Sequence, residues 1–403
     1  MNWEKVRTDF PELKTLVHGK RLVYLDNAAS TIKPKVVIDK LVDHYSHYAS
    51  NIHRGIHFLS EKGTREYEET RKAIKIFINA GHEHEVIFTK GTTDSINLVA
   101  SSYGELLKAG DEIILSTLEH HSNIVPWQIL AEKKGLIIKV IPINEKGEMN
   151  LEEYKKLLSP RTALVSINFI SNALGTINPV KEIISMAHKV GAKVMIDAAQ
   201  AVLHTKVDVQ DIDCDFLAFS AHKLLGPTGV GILYGKEKLL NQMPPYQGGG
   251  DMIDVVSFDK TTYNELPLKF EAGTPHIAGV IAFKDAIDYV TNLGLKNIAH
   301  HEHDLLVYAT EKLSTIPGMR FIGTAEKKAS VISFNIDGLH PQDIATFIDR
   351  DGVAIRTGHH CAQPLMQFFK IAGTCRASVA FYNTPDDIDE LHRSLMKVRE
   401  ILL

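Results

Sequence analysis

Cysteine is scarce in this chain: Cys214, Cys361 and Cys375 are the three in 403 residues. That is too few, and too scattered, for a disulfide framework or a CxxC metal site. In a reducing compartment each one is either buried filler or chemistry. An excess of charge is missing too. Against 49 acidic residues stand 45 basic ones, a net charge of −4, so no general affinity for nucleic acid or anionic membrane is implied. No apolar run approaches the ~20 residues that span a bilayer. The opening Met1-Asn2-Trp3-Glu4-Lys5-Val6-Arg7 is mixed in charge and lacks the apolar centre of a secretory signal. These absences predict a cytoplasmic protein that uses neither membrane nor nucleic acid. A P-loop is absent, because Gly235-Lys236 is followed by Glu237. No GxGxxG follows a strand, so a dinucleotide site has no support.

What is present reads as a soluble globular protein, with 44% hydrophobic and 23% charged residues. The length suits two domains of the usual ~100–200 residues. From Val86 to Tyr234, short β-branched runs alternate with helical stretches. The runs are Val86-Ile87-Phe88, Ile113 to Leu115, Ile137 to Ile141, Leu164 to Ile167, Val194 to Ile196, Phe216 to Phe219 and Ile232 to Tyr234. Nearly continuous apolar runs are what strands buried on both faces look like. The alternation predicts an α/β domain with a mainly parallel sheet. Residues 241–275, with prolines and Gly248-Gly249-Gly250, break the rhythm and read as a long functional excursion. Val280, Phe283, Ile287 and Val290 then predict a helix. A smaller α+β unit follows, with strands expected at Met319–Ile322, Val331–Ile336, Val353–Arg356 and Ala377–Phe381. A last helix is expected after Thr384-Pro385. The expected division is a large domain over 16–294 and a C-terminal domain over 295–403, joined by segment 1–15.

Polar groups cluster just beyond several strand ends, where α/β sheets bind ligands. Gly91-Thr92-Thr93-Asp94-Ser95 offers free N–H groups and hydroxyls at a helix start, which suits a phosphate. Glu119-His120-His121 supplies a ring able to stack or pass protons. Asp197 directly follows a buried strand, and a carboxylate there needs a partner. A protonated pyridine nitrogen is one such partner. Ser220-Ala221-His222-Lys223 follows the next strand. A lysine buried near other cations loses its proton and becomes a candidate for Schiff-base chemistry. A cap, an ion pair or a solvated charge would explain any one piece by itself. Their order is what joins them.

Together these pieces resemble the class V aminotransferase branch of the fold type I enzymes that use pyridoxal 5'-phosphate (PLP). The resemblance implies that Thr93, Ser220 and His222 hold the phosphate and that His120 covers the ring. It implies further that Asp197 pairs the pyridine nitrogen, that Asn172 and Gln200 surround the ring hydroxyl, and that Lys223 carries the cofactor.

The segment Arg356-Thr357-Gly358-His359-His360-Cys361-Ala362-Gln363-Pro364 adds a nucleophile. A thiolate is the reactive form of cysteine, and cationic neighbours favour it. Arg356, His359 and His360 are expected to supply them. Cys214 and Cys375 are expected to be structural. This loop resembles the active-site segment of group II, SufS-like cysteine desulfurases. Tyr24-Leu25-Asp26-Asn27-Ala28-Ala29-Ser30, Asn51-Ile52-His53-Arg54-Gly55-Ile56-His57 and Phe270-Glu271-Ala272-Gly273-Thr274-Pro275 agree with it. The resemblance implies that L-cysteine is converted to L-alanine, leaving a persulfide on Cys361 that feeds iron–sulfur cluster assembly. His120, His359 and His360 are candidate proton shuttles. Arg376, Arg356, His53 and Asn172 are implied at the substrate, and Thr274 at the neighbouring subunit's phosphate in a homodimer. A SufE-like or SufU-like sulfur acceptor is the implied partner. Selenocysteine lyase activity is the nearest alternative. An aminotransferase, an epimerase or a non-enzymatic sulfur carrier on the same fold are the others. The histidines at 82–84 and 300–303 are not HExxH, and no metal is expected.

Overall fold

A computed structural model of the chain describes residues 1–403. The β-branched runs form one sheet of seven strands. They are β1 (Val86–Thr89), β2 (Glu112–Ser116), β3 (Ile137–Ile141), β4 (Thr162–Asn168), β5 (Lys193–Asp197), β6 (Phe216–Ser220) and β7 (Gly231–Gly235). Their spatial order is β1-β7-β6-β5-β4-β2-β3. From β6 to β3 all neighbours are parallel, and β7 runs antiparallel to both β6 and β1. Every residue of β2, β6 and β7 is buried, which is why these strands read as continuous apolar runs. One expectation fails at β3, where Ile137 and Val140 are exposed. This strand pairs with β2 alone, so its outer side has no cover.

Alternate side chains leave the sheet in opposite directions. Ile114 and Val165 enter one apolar core of 61 residues, and Ile113, Leu115 and Leu164 enter a second of 22. A third core, of 20 residues, lies under the C-terminal sheet. That sheet is antiparallel, with β8 (Met319–Ile322), β9 (Val331–Ile336), β10 (Arg356–Gly358) and β11 (Thr374–Ser378) in the order β8-β9-β11-β10.

Two strands differ from expectation. The run Val353–Arg356 is split: Val353-Ala354 pairs in parallel with Val23-Tyr24, and Arg356 begins β10. The run expected at Ala377–Phe381 starts earlier and stops at Ser378. Val379 to Phe381 are buried without a ladder, and an apolar run does not reveal that difference in sequence. The 241–275 excursion also has more structure than expected. Ile253–Val256 and Thr261–Tyr263 pair as an antiparallel hairpin.

The helix Ile277–Leu293 forms where the apolar spacing places it. The last helix, Pro385–Leu402, starts at Thr384, whose N–H donates to the Asp387 carboxylate. That buried carboxylate also pairs with Arg7 and Arg21, which ties the start of the chain to the C-terminal core. No helix is long and apolar enough to cross a membrane.

Candidate active site

The carboxyl ends of β2, β4, β5 and β6, together with the segment after β1, open onto one cavity of about 570 Å³. Its far wall comes from the C-terminal sheet, through Arg356, His360, Cys361 and Arg376. The volume lies in the range of ligand pockets, ~300–1,000 Å³.

One end of the cavity is built from hydroxyls. The helix Thr92–Ser102 follows Gly91, and Ser220 Oγ receives the Thr92 N–H at 2.8 Å and meets Thr92 Oγ1 at 2.7 Å. Thr93 and His222 line the same end. The turn needs space behind it: a Cβ on Gly231 would lie 2.3 Å from the Gly91 nitrogen. A helix start flanked by hydroxyls suits a phosphate. Thr92 was not singled out in the sequence, although its own hydroxyl makes the bridge.

Asp197 ends β5, opposite Asn168. Its Oδ1 accepts the Ala199 N–H at 2.9 Å, and its Oδ2 meets no protein donor. Burial raises its pKa, and the Lys223 charge opposes that rise. Lys223 closes the 3₁₀ turn Ala221–Lys223. That turn is fixed by one carbonyl. His222 O accepts from Thr31 N at 3.1 Å, Thr31 Oγ1 at 3.0 Å, Ser30 Oγ at 3.3 Å and Lys33 Nζ at 2.9 Å. The Lys223 amine itself has no hydrogen bond or ion pair within the protein. It opens onto the cavity floor, and desolvation holds its pKa below that of an ordinary lysine, against the pull of Asp197.

His120 follows β2. Its Nδ1 meets Ser122 Oγ at 2.8 Å and accepts the Ser122 N–H at 3.0 Å. Burial, then the Lys223 charge, brings its pKa down to about 4, so the ring is neutral near pH 7. Beneath this turn lies a buried polar network. The Glu119 carboxyl group is bonded to Ser116 Oγ, to Asn123 Nδ2 at 2.7 Å and to the Asn168 N–H at 3.1 Å. Gln200 Nε2 donates to Ala28 O at 2.6 Å.

The two walls are bonded to each other. Asn172 Nδ2 donates to His360 O at 2.7 Å, and Arg376 Nη1 donates to Asn172 O at 3.0 Å. Arg376 Nη2 reaches Asp26, while its Nε has no partner. Arg356 grips the same Asp26 with Nε and Nη2. Cys361 is exposed, and its backbone has φ +54° after His360 at +51°.

One expectation about the thiol is corrected here. His360 is buried, with Nε2 2.9 Å from Thr374 Oγ1, and burial followed by the Arg376 charge lowers its pKa to about 3. Its ring is therefore neutral and adds no positive charge at Cys361. The cations in electrostatic reach of the sulfur are Lys223, Arg356 and Arg376.

Not every expected residue joins this cavity. His53 lies apart, with Nε2 3.2 Å from Glu68. Thr274 lines a separate cavity of about 190 Å³. Cys214 and Cys375 are buried, and burial pushes both thiols up. His82 stacks on His84, and His301 stacks on Trp3. Nothing local in the segment Tyr24 to Ser30 marks Asp26 as shared by two arginines, and nothing beside His120 marks His121.

The unpaired Asp197 Oδ2, the unpaired Lys223 amine, the hydroxyl end and the Arg376 guanidinium all line one cavity. They fit the phosphate, the ring nitrogen, the aldehyde and a substrate carboxylate of the PLP chemistry that the resemblance implies.

Comparison with known proteins bears on the family. The family model described as aminotransferase class-V matches residues 23–391. The chain is 50% identical over 401 residues to a cysteine desulfurase of Serratia proteamaculans (strain 568), covering 99% of this chain and 98% of that protein. A cysteine desulfurase of Synechococcus elongatus is also 50% identical, over 98% of this chain, but the chain spans only 63% of that longer protein. Among solved structures, the cysteine desulfurase CsdA of Escherichia coli matches with TM-score 0.93, 37% identity and 100% of both chains. The apo cysteine desulfurase of Thermococcus onnurineus NA1 matches with TM-score 0.94 and 39% identity, over 99% of this chain and 98% of that one.

Proposed function

The chain belongs to the class-V aminotransferase family, and from that premise we propose that it is a PLP-dependent cysteine desulfurase. It takes L-cysteine to L-alanine and holds the sulfur as a persulfide on Cys361. One observation carries this reading: Lys223 and Cys361 line the same cavity, although one follows a strand of the large sheet and the other a strand of the C-terminal sheet.

Bound PLP supplies an electron sink for the charge that develops at the substrate's α-carbon. The chain's residues do the rest. Lys223 would hold the cofactor through its amine and is the base placed to move the α-proton. Thr92, Thr93, Ser220 and His222 would take the phosphate, and Asp197 the ring nitrogen. Asn172 and Gln200 would meet the ring hydroxyl, and His120 would cover the ring. Arg376 would take the substrate carboxylate, with the planar fork that such a group needs. Arg356, fixed on Asp26, adds positive charge beside the sulfur. Cys361 Sγ then attacks the substrate sulfur. An S–S bond forms, the Cβ–S bond breaks, and its electron pair stays with the carbon that becomes the methyl group of alanine.

The division into a large lobe over 16–294 and a C-terminal lobe over 295–403 joined by 1–15 is part of this reading. The separate third core and the Arg7–Asp387 pair support it. A homodimer is part of it too. Ile38, Val42 and Tyr45 form an exposed apolar stripe on the helix Lys35–His47, and Ile56, Phe58 and Phe258 are exposed as well. An interface there would explain why His53 and Thr274 lie outside this chain's own cavity. A cytoplasmic setting and a SufE-like or SufU-like acceptor complete the reading, with iron–sulfur cluster assembly as the destination of the sulfur. The Cys361 turn is bonded at residues 360, 361 and 363, so the acceptor has to come to the sulfur.

The test is to load the protein with PLP, add L-cysteine, and measure alanine together with sulfide released by a thiol reductant. Equal amounts support the reading. A keto acid, or no alanine, would sink it.

A further inference from the structure

His360 at φ +51° and Cys361 at φ +54° are two consecutive non-glycine residues in the left-handed region. Such backbone persists only where its surroundings over-determine it. The surroundings here are hydrogen bonds. The Ala362 N–H closes the turn onto His359 O at 2.9 Å. Asn172 fastens the carbonyl of residue 360. His121 fastens both sides of the sulfur: its backbone N–H donates to Cys361 O at 2.7 Å, and its ring Nε2 accepts the Gln363 N–H at 3.1 Å.

No other residue of the opposite wall reaches past Cys361 to the start of the helix Gln363–Phe369. The two bonds bracket the nucleophile, and both come from the turn that carries His120. The backbone bond survives any ordinary substitution. The ring bond does not.

We propose that His121 is a positioning residue, whose imidazole holds the strained Cys361 turn in the geometry from which the sulfur attacks. An Nε2 that accepts requires the neutral ring with its proton on Nδ1. Burial and the neighbouring His359 keep the ring toward that form. His120 does different work: its Nδ1 is turned to Ser122, and its ring centre lies 6.3 Å from that of His121.

The role of the sulfur rests on the desulfurase reading, but the bracketing of the turn does not. The experiment is therefore read twice, on the PLP-loaded enzyme and its His121→Ala and His121→Gln variants. The first readout is kcat and KM for L-cysteine. The second is the rate at which iodoacetamide alkylates Cys361 without substrate, counted on the Cys361 peptide. A misplaced nucleophile costs ~10- to 100-fold, so His121→Ala is expected to lose about that much kcat. Its KM and cofactor absorbance should change little, and its Cys361 alkylation should change several-fold.

Glutamine keeps an acceptor for the Gln363 N–H, so His121→Gln should return both readouts most of the way. A parental alkylation rate in both variants overturns the proposal. So does a kcat that falls equally in both, which would make His121 a proton carrier. If His121→Ala does not fold, His121→Asn takes its place, because its shorter amide cannot reach the Gln363 N–H: it should fail where His121→Gln recovers, and parental readouts in both overturn the proposal. If the parent itself yields no alanine, the functional reading falls, and the alkylation rates still judge the bracket.

Discussion

Arg376 and Asp26 meet at 3.1 Å in the cavity wall, 350 positions apart in the chain, and Arg356 closes on the same carboxylate at 2.8 Å. One acid thus aims two guanidinium groups. Arg376 lines the cavity with its guanidinium held by Asp26 and by the Asn172 carbonyl, which fixes a positive charge in the wall.

Replacing Arg376 with Ala should raise KM for L-cysteine and lower kcat/KM by on the order of 10- to 100-fold, since a hydrogen bond to a charged group is worth ~1.5–3 kcal/mol. Arg376→Lys should recover little, because an ammonium group cannot reproduce the fork. Steady-state kinetics checks this, and an unchanged KM in Arg376→Ala would remove the arginine from the substrate's carboxylate.

Cys361→Ala should abolish alanine formation from L-cysteine and leave the visible absorbance of the bound cofactor intact. Selenium is a better leaving group than sulfur, so selenocysteine is the informative second substrate. A variant that turns over selenocysteine but not cysteine marks Cys361 as the sulfur acceptor. Full turnover of cysteine would mean that another group takes the sulfur.

Glu119 gives a pH dependence of stability. Burial raises its pKa to about 8, against the donors that surround it, while an unfolded glutamate titrates near ~4.3. Below ~4.3 both states hold the proton and the full stability is present. As pH climbs toward about 8 the unfolded chain releases that proton while the folded chain retains it, so stability is lost. Glu119→Gln has no proton to release. Thermal melts from acid to alkaline pH should show the parent losing ground to this variant as pH rises. Glu119→Ala, by contrast, strands buried donors at ~1–3 kcal/mol each and should melt lower throughout. Parallel melting curves for parent and Glu119→Gln would refute the shift.

If the exposed stripe on the helix Lys35–His47 is an interface, Val42→Asp should produce monomers in analytical ultracentrifugation. It should also weaken PLP retention on dialysis, because Thr274 would no longer reach the neighbouring site. A variant that remains a dimer with full retention would place the interface elsewhere.

The legible parts of this protein are those where chemistry sits at the end of an uninterrupted apolar strand. Asp197 after Val194–Ile196 and Lys223 after Phe216–Phe219 stand out because a polar group so placed needs a reason. The seven strands of the large sheet are visible for the same cause. What could not be read was the bonding between the lobes. Asn172 with His360, His121 with Cys361 and Asp26 with two arginines are pairings from 188 to 350 positions apart, and no local pattern announces them. The neutral state of His360 was hidden for a similar reason. A histidine beside a cysteine looks cationic until Thr374 and the surrounding burial are known. The hairpin in 253–263 escaped notice because its strands are short and solvent-facing, so they lack the apolar pattern of the sheet.

The two-residue ladder between Val23-Tyr24 and Val353-Ala354 makes the beginning of the chain a strut for the reactive sulfur. A protease that nicks the exposed Lys20-Arg21 strand, or a bulky fusion pulling on residue 1, would loosen the Val353-Ala354 strand that leads through β10 into the cysteine turn. Damage about 340 residues upstream in sequence would then register as altered thiol reactivity, with every group that faces the cofactor still in place.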